Sequence, residues 1–485
     1  MSTSAATANA HAATEPGGAT EPGGATEPGS ATLLRGWPWV LVGLGVTVAA
    51  SRVPWLPSAP WDHDGANFAR ALDAFDLARH SPHAPGYPVY VAAARLARLL
   101  GAGDAAALAW PNLAGAAAAA VAVAWLVARH AGRSAAIAAG VAYAALPALW
   151  LGDLAPRPDA LAAHLLVVAA SLLAARKPAA AALAVASALG VRLSVWPAAL
   201  AMAWALPRGA WPLLAAGLAA WAVPLAALAG GPNALVDTMA AFGAGHFGHW
   251  GNTAATAGLR LDQWAVHMAT QGGVAFAVLA VATWAASRGA RAAAVPRWWW
   301  AATAAYAAWI VVGQNPDHPR HLWPLLALVG AGLSVAIAVR ASRATGPALA
   351  GVAAAALVQL APGLTAAGQL SPDAALARWL ADQPAESLAL AGGSEVGVVR
   401  LLTPTVRALR VERPAEIAVA LAPGGTWPRT ALVSVRDGQA APAGWPLVAR
   451  FAARPGLDAP GMGLRVFARP RPVALAQGHL AGDNP

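Results

Sequence analysis

The residues able to do chemistry in this chain gather in a few polar islands between long apolar runs. The first is Trp61-Asp62-His63-Asp64-Gly65, followed by Asp73, Asp76 and the run Arg79-His80-Ser81-Pro82-His83-Ala84-Pro85-Gly86-Tyr87-Pro88. The second is Asp153, Arg157 and Asp159, and the third is Arg192 alone. A fourth holds His246, His249, Trp250, Asn252, Arg260, Asp262 and His267, and a fifth is Asn315-Pro316-Asp317-His318-Pro319-Arg320-His321. Two carboxylates at i and i+2, as in Asp62 and Asp64, suit either a metal-bound phosphate site or a general base. Guanidinium groups match phosphate oxygens through their fork geometry, which makes Arg192 and Arg320 candidate phosphate ligands. His80, His83, His318 and His321 are candidate hydrogen-bond donors to an anionic or hydroxyl-bearing substrate. Asp159 is placed to bind hydroxyl groups or to orient Arg157. Read singly, Arg157 and Arg320 beside neighbouring aspartates are surface ion pairs worth about 0–1 kcal/mol. His164, inside an apolar run, reads as a packed or helix-bridging residue.

What must position these groups is a membrane protein. Of 485 residues, 58% are hydrophobic and 11% charged, against about 25% charged in soluble domains. The 22 tryptophans and 39 prolines fit chains with interfacial Trp and helix-tolerated Pro. There is no cysteine, which excludes disulfides, thiol catalysis and cysteine-ligated metals. The net charge is +10, but its arginines are dispersed between apolar runs with no basic stripe, so nucleic acid is not expected as a partner. No Gly-rich loop followed by Lys is present, which disfavours nucleotide hydrolysis.

Residues 1–31 carry an Ala-Thr-Glu-Pro-Gly-Gly repeat with almost no side chain larger than Ala that is apolar. Such a segment cannot offset its ordering entropy, and it reads as a disordered cytoplasmic tail rather than a signal peptide. Apolar spans are expected near 33–50, 105–127, 135–151, 158–175, 178–191, 196–207, 211–229, 271–287, 298–313, 321–339 and 346–368. The segments 178–191 and 196–207 form either one long helix or two short ones around Arg192. As a hairpin, they place Arg129, Arg133, Arg176, Lys177, Arg208, Arg288, Arg291, Arg297, Arg340 and Arg343 on the N-terminal side of the membrane. Only Arg157, Arg192, Arg260 and Arg320 then fall in the opposite short loops. That asymmetry predicts about eleven spans, the N-terminus cytoplasmic and the C-terminus outside. It also puts 8 of the 12 histidines in the loops of one face, and titratable groups converging there suggest a site.

The first outer loop, 52–103, is long and partly helical. Phe68, Leu72 and Phe75 form an apolar face able to lie on the membrane, and Val89–Leu100 reads as a second interfacial helix. Residues 32–369 form the transmembrane domain, and 370–485 a small α/β domain outside the membrane. Its helix starts at Ser371-Pro372-Asp373 and runs to about Ala381. Strands are expected at 387–391, 430–435 and 464–468.

The run Asp64-Gly-Ala-Asn-Phe-Ala-Arg-Ala-Leu-Asp, continuing through Phe75-Asp76-Leu77 to His80-Ser-Pro-His83-Ala-Pro-Gly-Tyr87-Pro88, resembles the first outer loop of GT-C superfamily membrane glycosyltransferases. Bacterial relatives of protein O-mannosyltransferases and aminoarabinose transferases are the most similar. Arg157-Pro-Asp159, Gly190-Val-Arg192 and Asp317-His-Pro-Arg320-His321 echo later motifs, and the likeness covers about 32–485. The resemblance implies an all-α polytopic core with a C-terminal outer domain. It implies transfer of a sugar from a polyprenyl-phosphate carrier to an acceptor outside the membrane, with the first-loop acid as base. Asp64 matches that position and Asp62 is the near alternative, because relatives carry Asp-Glu or a lone Asp where this chain has Asp-His-Asp. The implied partners are the lipid donor, the bilayer and an acceptor that is lipid, protein or polysaccharide. A divalent metal held by Asp62, Asp64 and histidines is compatible with the pattern and not required by it.

Sugar transfer needs a base, support for an oxocarbenium-like centre and neutralisation of the leaving phosphate. A carboxylate at a bilayer surface is expected to gain basicity by partial desolvation. Competing readings are a secondary transporter, which requires mid-span charges and an internal repeat, a non-catalytic scaffold, and a polysaccharide ligase or polymerase acting on lipid-linked sugars.

Overall fold

The computed structural model describes residues 37–287, 295–340, 345–383, 388–411, 430–455, 457–458 and 461–468. The 1–31 tail and several of the basic loop residues, Arg288, Arg291 and Arg343, lie outside them. The chain divides into a short N-terminal unit up to Val40 and one compact unit from Leu41 onward. Of the first, only the opening turn of the first helix is described.

Helices dominate the described residues. In chain order they are α1 (Trp37–Ala50), α2 (His63–Asp73), α3 (Pro88–Leu99), α4 (Asp104–Ala128), α5 (Arg133–Ala144), α6 (Pro147–Gly152), α7 (Asp159–Ala174), α8 (Pro178–Val191), α9 (Trp196–Ala205), α10 (Trp211–Leu228) and α11 (Pro232–Gly245). There follow α12 (Ala254–Ala257), α13 (Leu261–His267), α14 (Gly273–Ser287), α15 (Arg297–Gly313), α16 (Trp323–Arg340), α17 (Thr345–Ala367), α18 (Pro372–Ala381) and α19 (Val396–Leu402). Five stretches among the described residues are long and apolar enough to cross a membrane, Asp104–Ala128, Arg208–Leu228, Leu261–Val281, Pro319–Val339 and Pro347–Ala381. Other apolar helices are shorter.

The sequence expectations map closely onto these bounds, with informative exceptions. The expected span 135–151 is two helices, because Pro147 has no N–H to continue α5 and instead starts α6. Residues 178–207 are two helices, broken where Arg192 takes an extended conformation (φ −155°, ψ 108°). The apolar face of α2 does not lie on a membrane surface. Phe68 and Leu72 are buried, with Phe68 edge-on to the rings of Tyr87 and Tyr90. Phe75 lies beyond the end of α2. The helix α3 keeps the expected two-sidedness, with Tyr90, Val91 and Ala94 buried and Leu96 and Leu99 exposed.

Small residues let the helices approach closely. α4 packs on α3, α5 and α7, α7 on α8 and α16, and α9 on α15. A Cβ at Gly115 of α4 would collide with Leu161 and His164 of α7. His164 also belongs to a buried polar network. Arg52 donates from Nε to Asp153 Oδ2 (3.1 Å) and from Nη2 to the Ala144 carbonyl (2.6 Å). His164 Nε2 lies 2.6 Å from Asp153 Oδ1, and its Nδ1 lies 2.7 Å from the Tyr143 hydroxyl. The helix-bridging reading of His164 is therefore the observed one.

The C-terminal layer is a five-stranded sheet, β1 (Leu388–Gly392), β2 (Arg407–Arg410), β3 (Thr430–Arg436), β4 (Leu447–Phe451) and β5 (Leu464–Ala468), in the order β2-β1-β3-β5-β4. β1 runs parallel to β2 and β3, while β5 is antiparallel to β3 and β4. α19 makes the crossover that a parallel β1–β2 pair requires. Leu376, Leu380, Val399, Leu390, Leu432 and Val466 form the core between the sheet and its helices. α18 starts as expected, with Ser371 Oγ accepting from the Ala374 N–H at 3.2 Å.

Replacing Arg52 with Leu strands Asp153 as a buried carboxylate, and breaking such a pair costs about 3–5 kcal/mol. We expect a lower unfolding temperature for the purified variant, partly restored by adding Asp153→Asn. Wild-type stability for Arg52→Leu would show that the pair is idle.

Candidate active site

Asp62 is the N-cap of α2. Its Oδ1 accepts the Gly65 N–H at 2.9 Å, the preferred use of Asp at a helix start. This places Asp64 in the first turn, close to the positive end of the helix dipole. The two acids then find different partners. Asp62 Oδ2 lies 3.0 Å from Arg157 Nη1. Asp64 Oδ2 accepts from Arg320 Nη2 at 2.8 Å, and its Oδ1 lies 4.0 Å from His83 Nδ1.

From Arg320 the charges continue to alternate. Its Nε is 3.6 Å from Asp159 Oδ1, which in turn is 3.1 Å from Arg192 Nη1. That oxygen sits against two guanidinium groups without completing a hydrogen bond to either. Arg192 donates from Nε to Ser194 Oγ (2.9 Å), and its Nη2 lies 3.0 Å from His321 Nδ1. Asp64, Arg320, Asp159 and Arg192 thus form one continuous chain. Asp159 pairs with Arg192 and Arg320 rather than orienting Arg157, and neither Arg157 nor Arg320 is a surface pair with its sequence neighbour.

Aromatic rings wall this chain. His83 Nε2 is 2.8 Å from the Tyr87 hydroxyl, and its ring stacks on Phe242 of α11 with centroids 5.6 Å apart. Tyr87 takes a left-handed conformation (φ 52°) directly after Gly86 (φ 96°). A side chain at Gly86 would also meet Leu77 and Leu225, so glycine suits that corner. The fourth polar island braces the fifth. Asn252 and Gln263 donate to the Asp317 carboxylate at 2.6 and 3.0 Å, His267 Nε2 lies 2.7 Å from the Pro316 carbonyl, and His246 Nε2 lies 3.0 Å from the Gly313 carbonyl. His246 therefore touches the backbone that carries His318 and Arg320. His80 and His249 are exposed and join none of these contacts. Of the sequence candidates, Asp62, Asp64, His83, Tyr87, Arg157, Asp159, Arg192, Arg320 and His321 come together, with the His318 ring 5.8 Å from that of His321.

Two parts of the site escaped sequence reasoning. Asn112, fully buried in α4, donates from Nδ2 to the carbonyls of Ala155 (2.8 Å) and Arg157 (3.1 Å) and accepts from the Leu161 N–H (3.2 Å). It fixes the turn that presents Arg157 and Asp159. Its only signal was a lone amide in an apolar run. The other is the C-terminal layer. α19 packs on α2, with Gly397 so close to His63 that no Cβ would fit between them. Arg410 Nη1 lies 3.2 Å from His63 Nε2, and Ser371 Oγ donates to the Pro60 carbonyl. The layer therefore buttresses the helix that carries the acid.

Burial by itself would push the Asp64 carboxyl up. The surrounding His83, Arg320, His318 and His63 groups outweigh it and hold the acid well below the usual carboxylate range. The gain in basicity expected from desolvation is not observed: the net shift of Asp64 is downward, with Arg320 the permanently charged group among those that lower it. Asp62 is lowered too, with burial opposed by Arg157. Burial and the Arg320 charge push the His318 imidazole down to about 3, and burial lowers His83. Among the described residues, no three His, Asp or Glu side chains converge as metal ligands. Both Asp62 oxygens are engaged, one by the Gly65 N–H and one by Arg157.

The fold is similar to that of solved membrane-protein structures. The aminoarabinose transferase ArnT from Cupriavidus metallidurans, in its undecaprenyl-phosphate-bound structure, superposes over 90% of this chain and 98% of its own at a TM-score of 0.55 and 12% identity. Its apo structure matches with the same coverage at 0.53 and 13% identity. The oligosaccharyltransferase of Archaeoglobus fulgidus, tethered to an acceptor peptide, matches 78% of this chain and 64% of its own at 0.47 and 12% identity. No protein-family model and no curated protein matches the sequence.

A histidine held neutral by the native site makes stability depend on pH. Between about 6.5 and about 3, the unfolded chain binds a proton at His318 that the native chain does not. Stability is therefore lost as pH falls through that window. We expect the melting temperature of the detergent-solubilised protein to fall as pH drops below 6.5, the ordinary histidine value, and His318→Gln to flatten that slope. An unaltered slope in the variant would contradict the assignment.

Proposed function

We propose that this chain is a membrane glycosyltransferase that moves a sugar from a polyprenyl-phosphate carrier to an acceptor outside the cytoplasmic membrane. The observation that carries the reading is the Asp64–Arg320–Asp159–Arg192 chain, which sets one acid beside two phosphate-binding cations. The topology in this reading has about eleven spans, an N-terminal tail (1–31) in the cytoplasm, a membrane domain over 32–369 and an outer layer over 370–485. It is supported by the asymmetry of basic loops and by the meeting of loops that this topology assigns to one side. The fold shared with ArnT supports a lipid-linked donor.

In the reaction, Asp64 takes the acceptor's proton as the acceptor oxygen bonds to the anomeric carbon. The bond from that carbon to the phosphate oxygen breaks, and its electron pair leaves on the polyprenyl phosphate. The phosphate gains one negative charge in this step, and Arg320 and Arg192 neutralise it. Arg320 is shared between acid and phosphate. As charge grows on the leaving group, Arg320 is drawn from Asp64, which raises the basicity of Asp64 when a proton must be taken. Asp62 is the less suited acid, since capping α2 and pairing with Arg157 occupy both its oxygens. In this reading Arg157, Asp159, His83, Tyr87, His318 and His321 contact the sugar and phosphate, while His246 acts through the Gly313 carbonyl. His80 and His249 remain candidates at the acceptor side, where exposure favours a transient contact.

Asp64→Asn should retain insertion and donor binding while transfer falls by roughly 10²–10⁴-fold, the usual worth of a general base. Purified variant with unchanged transfer would reject the base. Arg320→Ala should weaken binding of the polyprenyl-phosphate donor more than that of the acceptor, read from the two apparent KM values. Equal weakening of both would count against a phosphate contact.

A further inference from the structure

Arg157, Arg192 and Arg320 each meet a carboxylate, but three other arginines beside the same acid motif do not. Arg70 stands in the last turn of α2, Arg400 in the last turn of α19, and Arg410 at the end of β2. Their hydrogen bonds go to neutral groups. Arg70 donates from Nη1 to the Gly397 carbonyl (3.4 Å) and from Nη2 to the Asn67 amide oxygen. Arg400 donates from Nε and Nη2 to the Ala408 carbonyl at 3.1 and 2.9 Å. Arg410 Nη1 lies 3.2 Å from His63 Nε2. Among the described residues, none of the three pairs with a carboxylate. They are close enough to repel one another. Burial lowers the Arg70 guanidinium, and the Arg400 charge lowers it further. Burial also lowers the His63 imidazole against the pull of Asp64, with Arg410 and Arg70 adding to the lowering.

The C-terminal dipole ends of α2 and α19 favour Arg70 and Arg400, but each end amounts to only about half a charge. Positive charge from three elements therefore stays unmatched. A guanidinium carries about five N–H donors, and the contacts above use one or two of each, which holds the groups in place and leaves donors over. Such a cluster is complementary to an oxyanion, phosphate or carboxylate, through charge and fork geometry. It also lies beside the acid motif. His63, which Arg410 touches, directly precedes Asp64, and successive Cα atoms are about 3.8 Å apart. The donor-phosphate cations Arg192 and Arg320 come from the loops after α8 and α15, whereas this trio joins α2 to the C-terminal layer. We propose that Arg70, Arg400 and Arg410 form a second anion site, which holds an oxyanion of the acceptor as a handle apart from the hydroxyl that reacts. Its role rests on the glycosyltransferase reading above and adds the acceptor's class: an acidic molecule rather than a neutral one.

The test measures equilibrium binding of inorganic phosphate to the full-length protein in phosphatidylcholine nanodiscs, with undecaprenyl phosphate added to occupy Arg192 and Arg320. The double variant Arg400→Gln/Arg410→Gln should weaken phosphate binding by roughly tenfold or more, about 1.4 kcal/mol, while undecaprenyl phosphate binding stays within about twofold. Both side chains are exposed, so little folding energy depends on them. Arg400→Lys keeps the charge and should lose less affinity than Arg400→Gln. Unchanged phosphate affinity in the double variant, or equal loss for Lys and Gln at 400, would overturn the site. Replacing part of the phosphatidylcholine with phosphatidylglycerol separates the sources of the anion: competition with phosphate assigns it to a lipid headgroup, and no competition to an acceptor from outside the bilayer. In the transfer reaction, the double variant should raise the acceptor's apparent KM several-fold and leave the donor's unchanged. A rise in the donor's KM alone would overturn the acceptor role. Wild-type protein that binds phosphate through this cluster yet transfers no sugar would reject the glycosyltransferase reading and leave the anion site standing.

Discussion

Charges taken out of water must be matched by charges, and this constraint organises the site. Three carboxylates and three guanidinium groups, Asp62 with Arg157 and Asp64 with Arg320, Asp159 and Arg192, stand largely buried at the meeting point of loops far apart in the chain. Isolated, each would carry a penalty of several kcal/mol, and together they are neutral. The matching does more than offset burial. Because each Arg pairs with an acid from a different loop, the loops after α1, α6, α8 and α15 are held in mutual register. Asn112 and the Asn252–Gln263–Asp317 contacts then fix the backbone of two of those loops, so the charged groups cannot relax independently.

That pattern explains which features could be read from sequence. Signals confined to a few residues were legible. The Ser371 cap, the break at Arg192, the strands at 388–392, 430–436 and 464–468, and most helix bounds follow from local chemistry. The strands that were missed, β2 and β4, are the two edges of the sheet. Edge strands carry charge to prevent further pairing, as Arg407, Arg410 and Arg450 do here, and so lose the apolar alternation that marks a strand. The helix α11 went unplaced for a related reason. It is flanked by Gly and carries a weak stripe, yet it delivers Phe242 to the His83 ring.

Pairings were not legible, although their members were. Arg157, Asp159 and Arg320 all stood out, but proximity in sequence suggested the wrong partners. Arg157 is two residues from Asp159 and pairs with Asp62, while Arg320 is three residues from Asp317 and pairs with Asp64. Neighbouring side chains at the start of a helix diverge, and long guanidinium arms reach across to whichever carboxylate the packing brings close. The apolar face of α2 failed similarly. Phe68 and Leu72 have the spacing of a membrane-surface helix, but both are buried within the protein, Phe68 against Tyr87 and Tyr90, and periodicity alone does not say whether lipid or protein supplies the apolar cover.

Asp62 and Asp64 show how one short motif yields two unlike acids. Both occupy the same helix start, but the N-cap geometry turns one carboxylate back onto the Gly65 N–H and leaves the next free to project. Capping and the Arg157 pair engage both oxygens of Asp62, so moving its carboxylate gives up the cap of α2, worth about 1 kcal/mol. Asp64 owes its position to the helix and its lowered carboxyl to groups from other segments, His83 and Arg320 foremost, and the Arg320 pair can be contested by a competing anion without disturbing α2. A group whose support is covalently local is structural, and a group whose charge partner can be drawn away is able to change state. In this site that distinction falls between two residues separated by a single histidine, and it follows from which of them the helix needs in order to begin.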